Sequence, residues 1–337
     1  MKENIKTKII AEIGVNHGGS VRRALALVKA AKKSGADVVK FQFFNTTNLV
    51  SKSAKKAPYQ LKHNNDKEKQ FKLLKPLELS LKNFFRIKNF CKKQNINFML
   101  SIFDDSGIDA VKKLKPKIIK IPSGEINNYP LLNKIGRLKK KIILSTGMAN
   151  YKEVKNAIDI FVKNGIKKKH ITVLQCNSSY PTPLKDVNLK VINQYKKKFG
   201  INVGYSDHTQ GFESSLAAVA LGANIIEKHF TLNKKSKGPD HSSSLNPKEF
   251  NFLTESIRKV EKCLGNKEKR TTQSEKQNFL LIRKSIVAKN VINKGERFNL
   301  NNITVKRPAG GIGPEKWKNV IGKTAKKKFY EDEFIKI

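Results

Sequence analysis

The stretch "NIIEKHFTLNKKSKGPDHSSSLN", residues 224–246, begins as an apolar run and ends as a polar loop. The run closes on His229 and leads into Gly238-Pro239-Asp240-His241. A strand that serves only packing ends in turn residues, whereas one that ends in ligand-type side chains forms the rim of a site. Seven other short β-branched runs precede it: "KIIAEIGV" (8–15), "ADVVKFQFF" (36–44), "INFMLSIF" (96–103), "KIIKIPS" (117–123), "KKIILST" (140–146), "ITVLQC" (171–176) and "INVGYSD" (201–207). Between them lie segments with helical spacing, such as "RRALALVKAAKKSG", "YKEVKNAIDIFVKNG" and "GFESSLAAVALG". Several close at Gly, the residue favoured just past a helix. Eight strands alternating with helices over roughly 250 residues predict a (β/α)8 barrel. A doubly wound sheet would need fewer units and a Gly-rich first turn, which is absent.

At 337 residues the chain has room for one large and one small domain. Cys91, Cys176 and Cys263 are widely spaced and odd in number, so they form neither a CxxC pair nor a disulfide framework. The N-terminal apolar run stops at Glu12, too short for a signal-peptide core, and no uninterrupted apolar stretch is long enough to span a bilayer. A soluble cytoplasmic protein without a membrane partner is expected. The 69 Lys and Arg against 27 Asp and Glu give a net charge of +42. Such a charge attracts polyanions, and a nucleic-acid-binding protein is the reading from another function class. The lysines are scattered over helix-like segments, without aromatic interleaving or a recognition motif, so they read as a solvated surface and no nucleic-acid partner is expected.

In such barrels the site lies at the C-terminal ends of the strands. Those ends carry Glu12, Asn16 and His17; Lys40 and Gln42; Ser101 and Asp104; and Lys120, Ser123 and Glu125. They continue with Ser145 and Thr146; Cys176, Ser178 and Tyr180; Ser206, Asp207 and His208; and His229. The lysines and serines describe a pocket for phosphate and carboxylate, and segments such as "STGMANYKEV" place helix N-termini where free N–H groups favour an anion. His208 and His229 close neighbouring strands, so their imidazoles could meet on one metal ion. Glu12, Glu125 and Asp240 are candidates for acid–base work or for binding sugar hydroxyls.

The motifs "AEIGVNHGG", "VKFQ", "KIPSGEINNYPLL", "ILSTGM", "YPTP", "GYSDHT", "EKHFTL" and "GPDHSSSL" make the chain resemble the sialic acid synthases, the N-acetylneuraminate and legionaminic acid synthase family. The resemblance implies condensation of phosphoenolpyruvate with an open-chain N-acylated amino sugar, which releases phosphate and forms a nine-carbon 2-keto acid. It implies that Lys40, Ser101, Lys120, Ser123, Ser145, Ser178 and Ser206 line the phosphoenolpyruvate site. His208 and His229 would hold a divalent metal, expected to be Mn²⁺, with Mg²⁺ or Co²⁺ as substitutes. Gln42, Glu125, Tyr180 and Asp240 look like the sugar contacts, with Glu12 near the reacting centre. Two positions depart from relatives: "LSIFDD" stands in place of "STPFD", and Ser178 in place of an Asn. A synthase acting on a phosphorylated sugar is the nearest alternative within the class.

Residues 1–262 are expected to form the barrel and 263–282 a polar linker. Residues 283–337, with "KGE" and "VKRP", resemble the antifreeze-like (SAF) domain that closes these synthases. By that resemblance Arg307 reaches the partner's site in a domain-swapped homodimer. The segment after the second strand, "NTTNLVSKSAKKAPYQLKHNNDKEKQFKLLKPLELS", is expected to be a long rim loop that selects the sugar; its "KKAPYQ" leans toward the legionaminic type.

Overall fold

The computed structural model describes residues 6–56, 69–266 and 268–337. It divides into two compact units, Met1–Gly265 and Asn266–Ile337. In the first, β1 (Lys8–Gly14), β2 (Val38–Phe43), β3 (Asn97–Ile102), β4 (Ile118–Ile121), β5 (Lys141–Ser145), β6 (Ile171–Gln175), β7 (Asn202–Asp207) and β8 (Ile225–His229) form a closed barrel. All pairs are parallel, and β8 returns to β1 with Ile10 opposite Glu227 and Glu12 opposite His229. The expected barrel is therefore present, with each strand within the run that predicted it.

Both faces of such strands are buried, and alternation sorts their side chains. Ile9, Ala11, Val39 and Phe41 belong to the outer core, which also takes in Ala24, Leu27, Val28 and Ala31 of the helix Val21–Lys33. Ile10, Val38, Met99, Ile143, Leu174 and Ile225 form a separate interior cluster with Ile118 packed against it. That plug decides where the polar layer lies. Two residues further along these strands stand Glu12, Lys40, Ser101, Lys120, Ser145, Cys176 and Glu227, one layer closer to the C-terminal mouth.

The second unit has its own core of Ile286, Ile292, Phe298, Ile303, Phe329 and Ile335, under an antiparallel pair, β9 (Ser285–Ala288) and β10 (Ile303–Lys306). The expected linker is not simply polar coil. The helix Pro247–Leu264 runs through Cys263 and Leu264, and a second helix covers Lys276–Ile282. The latter exposes Phe279, Leu280, Leu281 and Ile282, an apolar group that a window judged by its overall polarity conceals. Among the described residues no helix is long and apolar enough to cross a membrane.

Candidate active site

A cavity of about 560 Å³ opens at the C-terminal end of the barrel. Its deep wall is ionic. Lys40 Nζ and Lys120 Nζ both meet Glu227 Oε1, at 3.1 and 3.0 Å, and the Ser206 hydroxyl donates to the same oxygen at 2.9 Å. Lys40 also lies 3.3 Å from Glu12 Oε2. Burial opposes the charge on Glu227, but Lys120 and Lys40 outweigh it and hold the carboxyl well below its usual range. Burial likewise opposes the charge on Lys40, and Glu12 and Glu227 reverse this, so its ammonium is stabilised. Lys120 is shifted down, by burial first and by the repulsion of Lys40.

The hydroxyls of Ser101 and Ser145 border this cluster, buried and without partners. Unsatisfied donors beside two buried ammonium groups are what an anion requires. Ser123 and Ser178 follow along the wall, their hydroxyl oxygens 3.4 Å apart.

The next layer carries the histidines. His208 Nδ1 lies 2.6 Å from the Asn177 carbonyl, which only accepts, so Nδ1 bears the proton and Nε2 keeps its lone pair. Burial pushes the His208 pKa down to about 4. Burial also lowers His229, and its Nδ1 is buried without a partner. The two rings lie 5.5 Å apart, with the Tyr180 ring 4.1 Å from His208 and edge-on to His229. Two neutral imidazoles, His208 with its Nε2 3.3 Å from the Ser206 hydroxyl oxygen and His229 with its Nδ1 unpartnered, fit a divalent transition-metal ion. Among the described residues no group of three or more His, Cys, Asp or Glu side chains forms a protein-made cage. The fit is therefore to an open site that leaves positions for water and substrate oxygens.

Beside the histidines, Asp240 Oδ2 lies 3.9 Å from His229 Nδ1, and burial, reinforced by Glu12, raises the Asp240 pKa to about 7. Gln42 Nε2 donates to Glu12 Oε1 at 3.1 Å, and burial raises the Glu12 pKa too. Gly14, at φ +54°, lets these groups converge. A Cβ there would stand 3.1 Å from both Glu12 Oε1 and Gln42 Nε2 and 3.5 Å from Asp240 Oδ2. The rim loop contributes Leu49, Val50, Gln70 and Leu74 to the lining; residues 57–68, including most of "KKAPYQ", lie outside the described residues.

Of the sequence candidates, Glu12, Lys40, Gln42, Ser101, Lys120, Ser123, Ser145, Ser178, Tyr180, Ser206, His208, His229 and Asp240 line this one cavity. Glu125 does not. It closes the short turn Ser123–Glu125, and its carboxylate accepts from Asn128 at 2.7 Å. Arg307 belongs to the second unit, where it is exposed. Several rim residues are structural. Asp104 caps the helix Asp105–Leu114 through Ser106 and Gly107 N–H groups, and the Thr146 hydroxyl donates to the Leu174 carbonyl. Asp207 accepts from Thr209, Ser214 and Ser215 and pairs with Lys228. His17 Nδ1 accepts from Gly19 N–H within its own turn. The helix after "STGMAN" offers no anion site either. Asn150 caps its first N–H groups, and Glu153 completes the capping box with a negative charge. Glu227 joins the site without being among the sequence candidates. Its signal was alternation, since Ile225, Glu227 and His229 share the inward face of β8.

Comparison with known proteins adds to this geometry. A profile described as the NeuB family matches residues 27–269, and one described as the SAF domain matches residues 283–337. The chain belongs to the NeuB family. Within it, the chain is 50% identical to N,N'-diacetyllegionaminic acid synthase of Campylobacter jejuni subsp. jejuni serotype O:2, over 98% of this chain and 99% of that protein. It is 41% identical to the protein of the same name from Legionella pneumophila, over 93% of this chain and 89% of that one. A solved structure, the N-acetylneuraminic acid (sialic acid) synthetase of Leptospira borgpetersenii serovar Hardjo-bovis in complex with citrate, superposes with a TM-score of 0.72 at 34% identity, covering 82% of this chain and 90% of that one.

Proposed function

We propose that this protein condenses phosphoenolpyruvate with an open-chain N-acylated amino sugar, releasing phosphate and forming a nonulosonic 2-keto acid. The observation that carries the reading is the Lys40–Glu227–Lys120 cluster, bordered by unpartnered serine hydroxyls and set below two neutral histidines. The anion of phosphoenolpyruvate belongs on the lysines and on Ser101 and Ser145, and the sugar aldehyde belongs between His208, His229 and Asp240. The identity to the legionaminic acid synthases supports a 2,4-diacetamido-6-deoxy sugar over N-acetylmannosamine.

A divalent cation, with Mn²⁺ the expected ion, would be held by His208 and His229 and would polarise the aldehyde carbonyl. Lys40 and Lys120 neutralise the substrate's charge and orient its C3 toward the aldehyde carbon. As the C3–C1 bond forms, Asp240, with a pKa of about 7, is poised to give its proton to the aldehyde oxygen. Water adds to C2, and Glu12, whose basicity burial increases, takes the proton that water loses. The bond from C2 to the phosphate oxygen then breaks, the proton of the C2 hydroxyl leaves with the departing phosphate, and the ketone forms. The enzyme works as a cytoplasmic homodimer in which Arg307 serves the partner's site.

Phosphate release is measured with the 2,4-diacetamido-6-deoxy sugar, N-acetylmannosamine and N-acetylmannosamine 6-phosphate, at saturating phosphoenolpyruvate. The first is expected to lead by at least roughly 100-fold in kcat/KM, a difference of about 2.7 kcal/mol. Oxygen-18 in the bridging position is expected to leave with phosphate. Its retention in the keto acid would rule out the proposed cleavage.

A further inference from the structure

Asp240 rides on the loop between β8 and the helix Pro247–Leu264, and a loop carboxylate reaches a buried site only where its backbone is held. The hold comes from the turn that follows β1. Asn16, 1% exposed, donates from Nδ2 to the Phe230 carbonyl at 3.0 Å and to Ser244 Oγ at 2.9 Å. The Ser244 hydroxyl in turn donates to the Asp240 carbonyl at 2.6 Å. The directions are mutually consistent. An amide nitrogen has two protons and both are used, while the single hydroxyl proton of Ser244 goes forward and its lone pair receives Asn16. Asn16 Oδ1 is left buried without a partner, an unfavourable arrangement that marks the donor end as the part the fold requires.

This amide joins the two segments that matter. Phe230 follows His229 directly, its N–H donates to the Glu12 carbonyl at 2.8 Å, and the Leu245 N–H, next to Ser244, donates to the His229 carbonyl at 2.9 Å. Asn16 thus ties the end of β8 and the returning loop to one point. Neither Asn16 nor Ser244 lines the cavity, so they act on substrate only through the groups they hold: Asp240 by way of Ser244, and the end of β8 by way of Phe230.

We infer that Asn16 and Ser244 are positioning residues that set the Asp240 carboxylate beside His229 and thereby determine how the amino sugar is gripped. The inference rests on Asp240 contacting the sugar, as proposed above. Asn16→Asp preserves size and removes both donors; Ser244→Ala removes the relay alone. Each is made in the wild-type and in an Asp240→Ala background, and KM is measured separately for sugar and for phosphoenolpyruvate alongside thermal melting.

In the wild-type background the sugar KM is expected to rise roughly 10-fold, the scale of one buried hydrogen bond, with the phosphoenolpyruvate KM within about twofold. In the Asp240→Ala background the same changes are expected to move the sugar KM less than about twofold, because the group they position is gone. Equal losses in both backgrounds, or a phosphoenolpyruvate KM that rises in step, would show a merely structural role and overturn the inference. If Asp240→Ala alone leaves the sugar KM and kcat unchanged, the sugar-contact reading itself falls. If Asp240→Ala weakens sugar binding while Asn16→Asp and Ser244→Ala do not, only the relay falls. Should Asn16→Asp fail to fold, Ser244→Ala carries the test.

Discussion

Glu227 Oε1 and Lys120 Nζ form a buried ion pair at 3.0 Å across the barrel interior, joining β8 to β4. Lys40 reaches the same oxygen from β2. One carboxylate therefore keeps two ammonium groups together where they would otherwise repel. Glu227→Gln keeps the shape and removes the charge. Lys40 keeps Glu12, but Lys120 loses its carboxylate, and leaving that buried ammonium uncompensated is expected to cost about 3–5 kcal/mol in urea denaturation. It should also lower kcat/KM at least roughly 100-fold, about 2.7 kcal/mol in transition-state terms. A variant as stable and active as the wild type would remove Glu227 from the site.

Two neutral imidazoles, with no group of three or more His, Cys, Asp or Glu side chains gathered as ligands among the described residues, predict a metal that dissociates on chelation. Excess chelator is expected to abolish turnover, with Mn²⁺ restoring it best and Mg²⁺ or Co²⁺ in part. Calorimetric titration of Mn²⁺ should show one site per chain, lost in His208→Ala and in His229→Ala. Full activity in excess chelator would overturn the assignment.

Buried neutral histidines predict a particular pH dependence of stability. His17 and His241 are each held down to about 4 by burial first, with Arg23 adding repulsion, against an ordinary value of 6.5. Between those values the unfolded chain binds more protons than the folded one, so stability rises with pH across that window. The contribution is complete above 6.5 and is lost as pH falls toward 4. His17→Gln is expected to flatten the decline by on the order of 2 kcal/mol, read from urea midpoints of metal-free protein at pH 4.5 and 7.5. An unchanged slope would mean that His17 is not buried and neutral in solution.

If Arg307 serves the partner's site, it adds little to the folding of its own unit and much to turnover. Its planar fork suits a carboxylate or acyl oxygen, which Lys would not reproduce. Arg307→Ala is expected to leave the melting temperature within about 2 °C while lowering kcat/KM roughly 100-fold. Co-expression with His208→Ala should regenerate one working site per heterodimer. Verified heterodimers without activity would place Arg307 in its own chain's site or in none.

Much of this was legible along the chain, because strand alternation and helix capping are local. The steps from Ile10 to Glu12, Val38 to Lys40, Met99 to Ser101 and Ile118 to Lys120 each pass from the plug to the polar layer by one period of two residues. Whatever follows from that period, together with the glycine stops and the motif series, could be read without coordinates: the barrel, its working end and most of the residues facing its mouth.

Tertiary structure alone decided which of those residues meet. Closure of β8 onto β1 brings Glu12 level with His229 and sends Glu227 across the interior to Lys40 and Lys120, 187 and 107 residues away in sequence. Asp207 and Glu125 read as rim candidates; a cage of hydroxyls with Lys228 surrounds the first, and the second, not among the cavity's lining residues, accepts from Asn128. Protonation was equally out of reach of the sequence. A carboxyl at about 7 on Asp240 and an imidazole at about 4 on His208 come from burial among particular neighbours. Alternation depends on the next residue, whereas convergence and desolvation depend on how the whole barrel closes.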